Sequence, residues 1–305
     1  MIKLPKLLEK GYLPVGDGHQ LYYEVCGNPR GNPVLSLHGG PGAGFTDKHK
    51  LFYNPKKWKM IFFDQRGAGR SKPFASTKAN TTQKLVEDCV KILDHVGVNK
   101  TVVVGGSWGS TLALCFAIKH PERVKALVLR GVYLGSRKEN DYLYRGGTRL
   151  HNPAEWHRFS SLVPKGKDPI RHYVQKIKSS NVKTRNKYAY EWTFYEMSLL
   201  RLKPNTKIIK KDMKPKFYVA MASIEGHYML HDCFLPKDYI LVNAHKIKVP
   251  VSIIHGRYDV VCPPESAYLL HKKLPKSRLQ YCIAGHSSSE PEIIKAMTSE
   301  IKKME

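Results

Sequence analysis

A serine set among glycines is the residue of this chain best placed to do covalent chemistry. Gly105-Gly106-Ser107-Trp108-Gly109 fits the pattern G-x-S-x-G. Thr101-Val-Val-Val104 before it reads as a buried strand, and Ser110-Thr-Leu-Ala-Leu114 after it opens a helix. In such a strand–turn–helix elbow, glycines permit a strained turn that lifts the serine hydroxyl above a sheet. A hydroxyl is a poor nucleophile without a base, and the base needs a carboxylate to orient it. On this topology the acid and the histidine follow the serine, on loops after later strands. Of the 14 histidines, only His271 and His286 follow the later strand signature with an acid between. His271 falls inside a helical stretch, whereas His286 sits in Ala284-Gly-His-Ser287, just past the final strand. Asp259, in His255-Gly-Arg-Tyr-Asp259, follows the preceding strand. Glu265 nearby reads instead as a helix N-terminal charge. Ser107, Asp259 and His286 are therefore the expected nucleophile, acid and base.

Acyl transfer also needs N–H donors for the developing oxyanion. The backbone of Trp108 offers one. The second is expected from His38-Gly39-Gly40-Pro41-Gly42, with Gly40 preferred and Gly39 the alternative. His38 precedes the serine and is expected to fix this loop by hydrogen bonding. His227 and His231 lie i, i+4 beside Glu225 and Asp232, but three ligands at fixed spacing are not evident, so no metal and no other cofactor is expected.

Alternating elements must position these residues. Val34–Leu37, Met60–Phe63, Thr101–Val104 and Ala126–Leu129 read as short buried strands. Between them, 82–96 carries Leu85, Val86, Cys89, Ile92, Leu93 and Val96 at helical spacing, with Asn80 and Gln83 as a capping box. Ser110 to His120 reads as a helix stopped by Pro121. Such alternation predicts a mostly parallel sheet with helices on both faces. From 134 to 245 the pattern is helical, aromatic and Lys-rich. The sheet signature returns with Val251–Ile254, a helix over 265–274, the strand Leu279–Ile283 and a closing helix from about Pro291. The expected organisation is an α/β core in two parts, 1–133 and 246–305, interrupted by a helical cap, 134–245.

Composition narrows the function classes. The chain has 305 residues, 51 Lys+Arg against 25 Asp+Glu and a net charge of +26. Across the three segments the net values are +11, +11 and +4, so the excess is diffuse and forms no basic arm. No nucleic-acid recognition motif accompanies it, and nucleic-acid binding on a hydrolase scaffold stands as the alternative of another class. No apolar run approaches a membrane span, and the N-terminus lacks a secretory apolar region. A cytoplasmic protein is expected. Its six scattered cysteines are expected to be reduced thiols.

Taken together, the motifs closely resemble those of the prolyl aminopeptidases (proline iminopeptidases), serine peptidases of the α/β-hydrolase fold. The segments that carry the resemblance are His38-Gly-Gly-Pro-Gly42, Asp64-Gln-Arg-Gly-Ala-Gly-Arg-Ser71, Gly105-Gly-Ser-Trp-Gly-Ser-Thr111, Gly256-Arg-Tyr-Asp259 and Ala284-Gly-His-Ser287. In the helical insertion, Trp192-Thr-Phe-Tyr195-Glu196 resembles the family's W-x-x-W-E, and Ala222-Ser-Ile-Glu225-Gly226-His227-Tyr228 its A-x-I-E-x-H-Y. The resemblance implies that Glu196 and Glu225 bind the free amino group of the substrate. It further implies that Tyr133, Tyr144 and Trp192 wall a small proline pocket, and that N-terminal proline leaves through a prolyl-enzyme. Ala43, Tyr195 and Gly226 depart from the family pattern, and Tyr195 is expected to bear on the pocket's shape or on how Glu196 is held. An esterase or amidase of the same fold, indifferent to a free amine, is the rival within the class.

Overall fold

A computed structural model describes residues 4–305. Its centre is an eight-stranded sheet in the order β1-β2-β4-β3-β5-β6-β7-β8. The strands are β1 (Leu7–Gly16), β2 (His19–Gly27), β3 (Asn32–Leu37), β4 (Trp58–Phe63), β5 (Thr101–Ser107), β6 (Val124–Val132), β7 (Val251–Gly256) and β8 (Ser277–Cys282). From β4 to β8 every neighbouring pair is parallel; β1 and β2 form an antiparallel hairpin on one edge. Strand β1 is exposed or half-buried along most of its length and polar residues such as Gln20 and Glu24 interrupt β2, so neither shows a continuous apolar run, and strand signatures were legible only from β3 onward. The central strands are largely apolar and buried because both faces are covered.

Helices α1 (Asp47–Lys50), α2 (Thr82–His95) and α3 (Trp108–Lys119) fall between the early strands. Helix α2 buries Leu85, Val86, Cys89, Ile92 and Leu93 on one side. Its start differs from the expected capping box. Thr81 is the N-cap, accepting from Lys84 N, while the Asn80 amide donates to the carbonyls of Arg66 and Ser76. Helix α3 is buried from Trp108 to Ile118, as befits a helix that is apolar all round.

Seven helices intervene between β6 and β7: α4 (Arg137–Tyr144), α5 (Pro153–Ser160), α6 (Pro169–Ile177), α7 (Val182–Leu199), α8 (Thr206–Asp212), α9 (Pro215–Leu230) and α10 (Tyr239–Asn243). Helices α6, α7 and α9 pack on one another around Phe159, Tyr173, Trp192 and Tyr195. Gly226, in place of a larger residue, lets α6 close on α9: a methyl there would lie 2.9 Å from Val174. Helices α11 (Pro264–Lys273) and α12 (Pro291–Lys302) complete the core. Glu265 lies in the first turn of α11, as expected of a helix-start charge, and pairs with Lys138. All six cysteines are free and buried. Among the described residues no helix is long and apolar enough to cross a membrane.

Candidate active site

Ser107 ends β5 and precedes α3 with φ 57° and ψ −131°, a conformation that costs a non-glycine residue about 1–3 kcal/mol. The flanking glycines are required by contact. A methyl on Gly105 would meet the Gly109 carbonyl oxygen at 2.1 Å, and one on Gly109 would meet that of Leu37 at 2.3 Å. The elbow therefore packs backbone on backbone against β3, which fixes the height of the serine. Ser110 Oγ donates to the Ser107 carbonyl at 2.6 Å and holds the first turn closed.

Asp259 and His286 come from the loops after β7 and β8. His286 Nδ1 donates to Asp259 Oδ2 at 2.7 Å, and the pair is buried. The other carboxylate oxygen accepts from Val261 N at 3.0 Å and Cys262 N at 2.8 Å. Those bonds leave Oδ2 to orient the imidazole. Burial by itself would raise the Asp259 carboxyl; the His286 charge and hydrogen bond, with the Cys262 N–H, outweigh it and hold the group below its usual range. His255 donates from Nε2 to the Cys262 carbonyl and accepts from Val132 N, a wiring that requires neutral imidazole, and burial lowers its pKa accordingly. His286 lies over Gly131 at the end of β6, where a methyl would approach its ring to 2.9 Å. Ser107 is paired in register with Val132 on that same strand. Ser107, Asp259 and His286 thus all lie at the carboxyl ends of the parallel strands, where such sheets bind ligands. His271 lies apart, bonded to Ser277.

Opposite them lies the His38–Gly42 loop. A methyl on Gly39 would touch the Ser107 side chain at 3.2 Å, so backbone at this point lies directly against the serine. The Gly39 carbonyl accepts from His38 Nδ1 at 2.8 Å. Its peptide plane therefore turns the Gly40 N–H to the opposite side, without an intramolecular acceptor among the described residues. Trp108 N–H, the first of α3, is likewise free because a helix leaves its first donors unpaired. Gln65 escaped the sequence reading although it lies in the Asp64–Ser71 segment. It accepts from Trp108 Nε1 at 2.8 Å, donates to the His38 carbonyl at 2.9 Å and offers its own N–H to His38 Nε2. One side chain thus ties the two glycine loops together.

Glu196 on α7 and Glu225 on α9 are 5% and 2% exposed, and their carboxyls lie within hydrogen-bonding reach of each other. Burial raises both pKa values, and the neighbouring Glu196 charge pushes Glu225 well above the usual carboxylate range. Trp192 Nε1 donates to Glu225 Oε2 at 2.7 Å, and Tyr144 Oη lies 3.4 Å from Glu196 Oε2. Tyr144 and Trp192 stack with ring centroids 4.3 Å apart. Both aromatics therefore present polar atoms to the carboxylates as well as ring faces. Tyr133 instead turns its hydroxyl toward Asn140, Met229 and Cys233. Tyr195 donates to the Leu143 carbonyl at 2.8 Å and stacks on Phe159 at 4.5 Å, so it supports the helix carrying Tyr144.

The two glutamate-bearing helices pack on two loops of the site, α7 on that of the histidine and α9 on the His38–Gly42 loop. Leu200, at the end of α7, accepts from Ser287 N at 2.7 Å, and Leu202 N donates to Glu290 at 2.8 Å. Met221 on α9 sits at Gly40, and Ala220 and Ile224 sit at Gly42. His286 lies close enough to Glu196 for an imidazolium to draw its pKa down, against the larger effect of burial. His227, by contrast, points away, bonding the Asn80 carbonyl. Among the described residues no group of three metal-ligating side chains converges.

Residues 32–292 match the alpha/beta hydrolase fold family, so the class of protein is that of the α/β hydrolases. Solved structures agree: a thermophilic esterase from Thermogutta terrifontis superposes with a TM-score of 0.68 at 18% identity, over 97% of this chain and 98% of that one. An esterase from Exiguobacterium antarcticum gives 0.63 at 19%, over 98% and 99%. These likenesses carry the fold. Sequence goes further: proline iminopeptidases of Xylella fastidiosa and Arabidopsis thaliana are 42% and 41% identical, over 95% and 96% of this chain and 94% and 79% of theirs. That of Neisseria meningitidis is 37% identical over 99% of this chain and 98% of its own. The chain belongs to the proline iminopeptidase family.

Proposed function

We propose that this chain is a serine exopeptidase releasing proline from peptides with a free N-terminal proline. The observation that carries the reading is the buried Glu196–Glu225 pair, on helices that pack on the His286 loop and on the His38–Gly42 loop beside Ser107. Two carboxylates in a dry site cost desolvation that only a bound cation repays. A substrate ammonium supplies that cation through charge-assisted hydrogen bonds; a blocked peptide leaves the pair uncompensated. An esterase has no use for such a pair, and the observation favours the peptidase over that rival.

In the proposed reaction the amine is held by Glu196 and Glu225, and the proline ring lies against Tyr144 and Trp192 under a cap spanning about 134–245. His286, oriented by Asp259, takes the Ser107 proton as Oγ attacks the first peptide carbonyl. Trp108 and Gly40 N–H groups hold the oxyanion. Collapse breaks the C–N bond, with His286 returning the proton to the departing amine. Water, deprotonated by His286, then attacks the prolyl ester, and Ser107 leaves with the proton.

The raised pKa values give the test a sign. Below the titration of the pair the site keeps a proton that the incoming ammonium must displace, so free-amine substrate and proton compete. KM for a prolyl amide is expected to rise as pH falls, approaching about tenfold per unit for one displaced proton. KM for an N-acetylated prolyl amide is expected to stay flat. Parallel profiles for the two substrates would remove the glutamates from amine binding.

A further inference from the structure

The +26 charge is diffuse in sequence, but the fold gathers part of it where no carboxylate answers it. Two adjoining clefts, with volumes of about 440 and 380 Å³, lie between the core and the α7–α9 side of the helical insertion and share Phe74, Arg185 and Val219. Those volumes fall in the range of small-molecule sites. No acidic residue lines either cleft, whereas Lys72, Lys216 and Arg185 line the larger and Lys178 the smaller. Arg70, which also lines the larger cleft, is already taken up by Asp64 and Glu24. Among the described residues Lys72 has only the Tyr12 ring, with its Nζ 4.8 Å from the centroid. Arg185 Nε is buried without a hydrogen-bond partner, as is Oδ1 of the adjacent Asn186. Burial makes that missing bond costly, and the Arg185 side chain lines both clefts. Phe74 stands 45% exposed in the same cleft, an aromatic face without a partner of its own.

The site differs from the one described above. At 3.6 residues per turn, Lys216, Val219, Ala222 and Ser223 share the face of α9 that lines the clefts. Met221, Ile224, Glu225 and Tyr228 share the opposite face, against Gly40, Gly42, Trp192 and Trp108. Cations without carboxylate partners in the cleft lining and an exposed ring together define the chemistry of a complement. We propose that this outer flank of α9 binds a small organic anion, a phosphate or carboxylate group carried on an aromatic ring, at a site distinct from that of Ser107.

Isothermal titration with phenyl phosphate, benzoate and inorganic phosphate tests this. Phenyl phosphate is expected to bind once per chain, at least about tenfold more tightly than inorganic phosphate; its rank against benzoate identifies the preferred headgroup. Arg185→Gln with Lys216→Gln should weaken binding about tenfold or more while kcat/KM on a prolyl amide stays within about twofold, which certifies the fold. Ser107→Ala should bind as the parent does, and so should a control pair on another surface, Lys272→Gln with Lys273→Gln. Unsaturable binding overturns the proposal. So does equal affinity in the Arg185/Lys216 variant, an equal loss in the Lys272/Lys273 control, or competition with prolyl amide.

Discussion

Replacing Ser107 with alanine is expected to lower kcat on a prolyl amide by about 10⁵-fold, ~7 kcal/mol of transition-state stabilisation. The size follows from what the hydroxyl does. Without it no ester forms, and His286, Asp259 and the two N–H donors can only assist direct attack by water. KM should change little, because the contacts proposed for the amine and the ring, at Glu196, Glu225, Tyr144 and Trp192, are left intact. The substitution removes one buried oxygen from an already strained turn, so the fold should be retained, and circular dichroism or thermal unfolding checks that. A variant retaining a tenth of parental activity would show that the nucleophile lies elsewhere.

The second large effect concerns the carboxylate pair. Glu196→Gln and Glu225→Gln are each expected to lower kcat/KM for a free prolyl amide about 10- to 100-fold, since a hydrogen bond to a charged group is worth ~1.5–3 kcal/mol. Together they should cost about 10³-fold, with coupling because the two carboxyls share one site. Selectivity is the informative readout. Activity on N-acetylprolyl amide should be unchanged or raised, because the double variant no longer buries carboxylate beside a neutral nitrogen. Stability should rise for the same reason, as an uncompensated pair is removed, and thermal unfolding reads that. Equal losses on free and blocked substrates would mark both residues as structural.

Much of this was legible before the fold was known, for identifiable reasons. Strands β3 to β7 are buried on both faces, so each appears as an apolar run ending at a glycine or a charged turn. The elbow was legible because Gly105 and Gly109 are dictated by close backbone approach, and such constraints leave no alternative residue. The β1–β2 hairpin at the sheet edge was not, because β1 is exposed or half-buried along most of its length and polar residues interrupt the apolar ones of β2. Gln65 was invisible for another reason: its role depends on Trp108 and His38, both distant in sequence. So was the second function of Tyr144 and Trp192, since ring stacking is implied by aromatic residues but the hydrogen bonds to glutamate are not. Asn80 illustrates the converse error. Its spacing suggested a helix cap, yet its amide closes the Arg66–Ser76 loop and Thr81 caps instead.

The central claim is that a free amine on proline is read by two buried glutamates beside a serine hydrolase site. It is tested most directly by comparing, on the parent enzyme, kcat/KM for free prolyl and N-acetylprolyl versions of one chromogenic amide. The account predicts that the free substrate is cleaved at least about 10²- to 10³-fold more efficiently, the worth of two charge-assisted hydrogen bonds. Equal cleavage of the two would contradict it and return the protein to the esterases and amidases of the same fold.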